Sequence, residues 1–122
     1  MRSMTTEIRE VIRQNLDQAR TARDSGNWDL CWSLLEDAHV LSQPWVWPHM
    51  RVHAAMLAAG WRARDAREVR GQLLRLLAGG PASAVRRYPT GNTGRARVSA
   101  IQPMPIRPDL AEVLARAGQP TT

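Results

Sequence analysis

All three histidines of the 122-residue chain fall within one fifteen-residue window, spaced as Glu36-x-x-His39, a turn rich in proline and tryptophan, then His49-x-x-x-His53. On a helix, residues three or four apart share a face, so two neighbouring helices can aim one carboxylate and three imidazoles at a common point. Three nitrogens and one carboxylate oxygen suit zinc or iron, with copper also compatible, and disfavour calcium and magnesium. Glu36, His39, His49 and His53 are therefore the candidate metal ligands, with Trp32, Trp45, Trp47 and Met56 as candidate walls around them. The alternative assignment is a hydrogen-bonded cluster that holds two helical hairpins in register, since a buried polar group left unpaired costs about 1 to 3 kcal/mol.

No reaction motif accompanies this set. Cys31 and His39 are eight residues apart, roughly 12 Å along a helix axis, too far to act as nucleophile and base. Cys31 reads as a small core residue. It is the sole cysteine, which excludes an internal disulfide framework and a Cys-x-x-Cys site, and suits a reducing cytoplasm. Gly91-Asn92-Thr93-Gly94-Arg95 lacks the following helix that a phosphate-binding loop requires, and reads as a turn. No apolar run approaches a membrane span and the N-terminal residues lack a signal-peptide core, so a soluble cytoplasmic protein is expected.

The elements that must carry the cluster are helical. Thr5 or Thr6 can cap a first helix with Ile8, Val11, Ile12, Leu16, Ala19 and Ala22 at helical spacing, stopped by Asp24-Ser25-Gly26. A second helix from Asn27 or Trp28 to about Leu41 buries Trp28, Cys31, Trp32, Leu35 and Ala38. Pro44 and Pro48 bracket the elbow, and Pro48 suits the first turn of a third helix running to about Ala59, with Gly60 as a left-handed cap. A fourth helix opens on the capping-box-like Asp65-Ala66-Arg67-Glu68 and is expected to bury Val69, Leu73, Leu76 and Leu77 before Gly79-Gly80-Pro81. Residues 79–108 lose periodicity apart from a helical turn at Pro81 to Arg87, and read as an arm wrapped on the helices. Residues 109–118 read as a short last helix. The expected architecture is a single all-α domain over 1–122: a helical core over 1–78 made of four helices in two hairpins, the irregular C-terminal arm, and the last helix.

All 17 basic residues are arginine. Residues 1–59 carry six arginines and seven acids, whereas residues 60–122 carry eleven arginines and four acids. Arg64, Arg67, Arg70, Arg75, Arg86, Arg87, Arg95 and Arg97 are the candidate surface for a polyanion or an acidic protein partner. Bases usually need aromatic platforms, and Tyr88 is the only aromatic residue after Trp61, so nucleic-acid binding ranks below docking to a protein.

Gly26, Cys31, Leu35 and Ala38 stand at the glycine, small, bulky and alanine offsets of a tetratricopeptide repeat, so residues 26–38 resemble part of such a helical hairpin. His49-Met50-Arg51-Val52-His53, Asp65-Ala66-Arg67-Glu68-Val69, Gly71-Gln72-Leu73-Leu74-Arg75, Gly91-Asn92-Thr93-Gly94 and Pro103-Met104-Pro105-Ile106 together resemble a small bacterial family catalogued as a domain of unknown function. Arg95 and Arg97 stand where that family is expected to carry glycine and asparagine. The resemblance implies the architecture and no activity. The functional expectations are a metal-buffering, sensing or accessory protein, or a non-enzymatic interaction module in which the cluster is structural.

Overall fold

A computed structural model describes residues 3–84 and 88–122, and among these the chain forms five α-helices and no strand. They are α1 (Thr6–Asp24), α2 (Trp28–Ser42), α3 (Val46–Arg62), α4 (Ala66–Ala84) and α5 (Pro108–Arg116). No helix among the described residues is long and apolar enough to cross a membrane. Arg86 and Arg87, and the end of the helical turn expected near them, lie outside the described residues.

Side-chain caps start α1 and α2. Thr5 Oγ1 accepts from the Ile8 N–H at 3.3 Å and Asn27 Oδ1 from the Leu30 N–H at 3.3 Å, each satisfying a donor that the first turn leaves open. Gly26 takes φ +77 between them. The buried stripe Ile8, Ile12, Ala19 and Ala22 of α1 meets Cys31, Leu35 and Ala38 of α2. Helix α2 is the centre of the fold, in contact with α1, α3 and α5, which is why its last turns from Ala38 to Ser42 are buried all round. Leu110 and Leu114 of α5 complete this core, and Pro108 stands in the first turn of that helix.

The second hairpin departs from expectation in three places. Gly60 lies inside α3 and does not cap it; the left-handed residue of the turn is Arg64, with φ 56. A Cβ on Gly60 would stand 3.0 Å from the Cβ of Glu68, so the glycine serves close approach of α3 and α4. Gly79-Gly80-Pro81 does not end α4, which runs to Ala84. Glycine and proline weaken a helix interior by about 1 and 3 kcal/mol, a cost borne by a helix anchored along α3.

The third departure concerns which side of α4 is inside. Its inner face is polar: Glu68 and Gln72 are both 0 % exposed, whereas Leu73, Leu74 and Leu77 are 49, 62 and 80 % exposed. Val69 and Leu76 are half-buried. Helical periodicity correctly separates the two faces, but the leucine face lies outward because the polar face holds hydrogen-bond partners that only α3 and the segment after α4 supply. With Trp61, the leucines line a surface cavity of about 680 Å³.

Residues 88–107 contain no helix. Gly91 and Gly94 both take φ +82, and the Met104 N–H bonds to the Thr90 carbonyl at 3.0 Å. A Cβ on Gly91 would fall 1.9 Å from the Met104 carbonyl oxygen, so only glycine permits this close return of the chain. A Cβ on Gly71 of α4 would likewise meet the Ala96 Cβ at 2.5 Å, so the segment lies directly on that helix.

Candidate metal centre

The α2 C-terminus delivers His39, and the first two turns of α3 deliver His49 and His53 one helical turn apart. Their rings are 3, 5 and 2 % exposed. All three Nε2 atoms converge: His39 to His53 is 3.1 Å, His39 to His49 is 3.1 Å, and His49 to His53 is 3.0 Å. The rings stand at 54 to 73° to one another, with centroids 4.7 to 4.9 Å apart. The centre of a triangle with such edges lies about 1.8 Å from each nitrogen, close to the Zn–N distance of about 2.0 to 2.1 Å.

The outer nitrogens fix which ring atom carries the proton. His39 Nδ1 lies 2.6 Å from the Asn92 carbonyl oxygen, which can only accept, so Nδ1 holds the hydrogen. His53 Nδ1 lies 2.6 Å from Gln72 Oε1. The orientation of that amide follows from its nitrogen, which donates to Glu68 Oε2 at 3.0 Å and to the Gly94 carbonyl at 2.8 Å, both obligate acceptors. Neutral His39 and His53 therefore present bare Nε2 lone pairs to each other. Such outer contacts orient imidazoles in metal sites.

Burial pushes all three imidazoles toward the neutral form. His39 lies well below the ordinary histidine range, through desolvation and then its two neighbouring rings. His49 is pushed down to about 3 by burial and then by His53, and burial also lowers His53 against the opposing pull of Gln72.

The segment after α4 forms the roof. A Cβ on Gly94 would lie 2.5 Å from His39 Cδ2 and 2.8 Å from its Nε2, so no side chain fits there. Asn92, 1 % exposed, holds the turn closed: its Oδ1 accepts from the Gly94 N–H at 2.9 Å, and its Nδ2 donates to the Ser99 and Gln102 carbonyls at 2.8 Å each. Arg75 donates to the carbonyls of Gly94, Arg95 and Val98. Glu68 is the buried carboxylate of this layer. It accepts from Arg95 Nε at 2.6 Å and from the Ala96 N–H at 3.2 Å, besides Gln72.

Glu36 does not join the three imidazoles. Its carboxylate faces Arg95 Nη1 at 3.4 Å and is raised by burial, with Arg95 opposing. The arginine stacks over Trp32, 3.8 Å from the ring centroid, and holds Glu36 at the cluster margin. Trp32 thus backs this ion pair. Met56 is fully buried in the core, whereas Trp45 and Trp47 line a groove between α1 and α3. Trp47, 81 % exposed, does not wall the imidazoles, because the elbow turns its ring outward. Arg75 and Arg95, expected on a binding surface, are engaged inward. Arg64, Arg67 and Arg70 are exposed, as is Arg97, which pairs with Asp65 at 3.8 Å. Asp65 Oδ1 caps α4 through the Glu68 N–H at 3.1 Å, but the Glu68 side chain turns inward and leaves the expected capping box half made. Burial raises the Cys31 thiol, consistent with a core residue.

Glu68, Gln72, Asn92 and Gly94 escaped sequence reasoning. The available signals were the Glu68-x-x-x-Gln72 spacing on one helical face and the two glycines flanking Asn92-Thr93. The family model described as "Protein of unknown function (DUF3703)" matches residues 6–114. No curated protein and no solved structure matches the chain.

Proposed function

The chain belongs to the DUF3703 family, and we propose that it binds a transition-metal ion, zinc first and iron or copper next, through the Nε2 atoms of His39, His49 and His53. The carrying observation is the triangle of Nε2 atoms 3.0 to 3.1 Å apart, two of whose rings have their protons committed to Asn92 and Gln72 on the far side. Three nitrogens at hydrogen-bond separation need bridging hydrogens or a cation. His49 can place one proton between itself and one neighbour, which leaves the lone pairs of His39 and His53 opposed. An added proton is disfavoured by burial, whereas a metal ion uses all three lone pairs at once. Three imidazoles on one side of an ion leave its opposite side for a further ligand. The role this supports is metal buffering, sensing or an accessory step in metal handling.

Metal analysis by mass spectrometry of the full chain, purified without a histidine tag and supplemented with zinc, iron or copper, tests the reading. About one equivalent is expected for one of these metals, and below about a tenth of an equivalent for all three overturns it. The paired substitution His49→Ala and His53→Ala removes the uptake.

A further inference from the structure

We infer that the groove between α1 and α3 is a docking site for an acidic amphipathic helix of a partner protein. Helices α1 and α3 both lean on α2 and touch each other little, leaving a trough of about 1110 Å³. Its floor is apolar, with Ile12, Leu16 and Trp45 beside the small residues Ala54, Ala55 and Ala58 of α3. Small side chains let a third helix approach closely, and such grooves take the apolar face of an amphipathic helix.

Charge identifies the occupant. By chain position the first 59 residues are nearly neutral, but folding sorts their charges: five of their six arginines, Arg9, Arg13, Arg20, Arg23 and Arg51, line this trough together with one of their seven acids, Asp17. Arg13 is paired with Glu10 and Asp17, and Arg23 with Asp24. Arg9, Arg20 and Arg51 are exposed and make no hydrogen bond or ion pair among the described residues. Arg9 and Arg20 are eleven residues apart on α1, roughly 16 Å along its axis, with Arg51 on α3 across the trough. A single carboxylate or phosphate cannot span that distance. A helix carrying Asp or Glu along its flanks can, with its apolar stripe on the alanines. Single-stranded nucleic acid fits less well, because its bases need a row of stacking aromatics and Trp47 is the one exposed ring here.

A displayed library of helical peptides selected against the full chain tests this. Enriched sequences are expected to carry an apolar i, i+3 or i+4, i+7 stripe flanked by acids, to lose binding when those acids become lysine, and to weaken about tenfold or more against Arg9→Gln/Arg20→Gln/Arg51→Gln. Because these side chains are exposed and unpaired, the triple variant keeps its helical circular dichroism. Binding is also expected to survive chelators, separating it from the metal reading. Enrichment without acidic bias, affinity unchanged in the triple variant, attachment to the α4 leucine face, or occupation of the trough by dodecanoate or a second copy of the chain overturns the inference.

Discussion

Gln72 does at the residue scale what a carboxylate or backbone carbonyl often does behind a metal-bound imidazole. Its amide is oriented by Glu68 and Gly94, and it orients His53 in turn. Keeping that partner uncharged leaves the rings neutral, which gives the metal-free protein a defined response to acid. In the unfolded chain each imidazole takes up a proton below the ordinary value of about 6.5, whereas in the folded chain uptake is held off, to about 3 for His49. The unfolded state therefore binds more protons as pH falls. Stability is complete above about 6.5 and declines below it by up to about 1.4 kcal/mol per pH unit for each such histidine. Urea unfolding of metal-free protein at pH 7 and pH 5 is expected to show the midpoint falling, with part of the fall removed by His49→Gln and the rest left by His39 and His53, which shift in the same direction; equal midpoints at the two pH values contradict this. The histidines were legible in the sequence because helical spacing specifies direction around an axis. Glu36 was misread for the same reason: direction does not reveal that Arg95, 59 residues later, claims the carboxylate first.

Among the elements, α4 shows where periodicity stops being informative. Its two faces are plain in the sequence, but apolar content alone assigns the leucines to the interior. The inner face is instead Glu68, Gln72 and Arg75, whose partners on residues 92–98 are long-range and invisible to local pattern. The helices themselves were readable from caps, stripes and prolines, with α1, α2 and α5 close to their expected bounds. The Gly60 assignment failed because a glycine near a helix end resembles a cap whether it serves the backbone or a crossing. Since Leu73 and Leu77 are largely exposed, replacing both with Gln is expected to change unfolding free energy by less than about 1 kcal/mol. Glu68→Ala removes the buried carboxylate that accepts from Arg95, the Gln72 amide and the Ala96 N–H at once, and is expected to cost about 3 kcal/mol or more. Denaturant titration of the two variants checks that ranking, and equal losses would return the leucines to the core.

At the scale of the whole molecule, both special regions lie where the two hairpins meet: α1 and α3 border the cationic trough, while α2 and α3 carry the imidazoles under a roof made by residues 89–98. The attachment of this roof is mostly polar, through Asn92, Arg75 and Glu68. Gly94→Ala combines a left-handed backbone position with a Cβ pressed onto the His39 ring, and is expected to destabilise the fold by about 3 kcal/mol. Thermal melting with and without metal checks it: the melting temperature should fall in both states, and an unchanged value in either means that the turn does not touch the ring. For an ion beneath Gly94, escape requires the roof to rise, so tightness and residence answer to different residues. On the proposed metal reading, the imidazoles would set how strongly an ion is held, while Asn92 and the Arg75 guanidinium, neither of them a ligand, would set how long it stays.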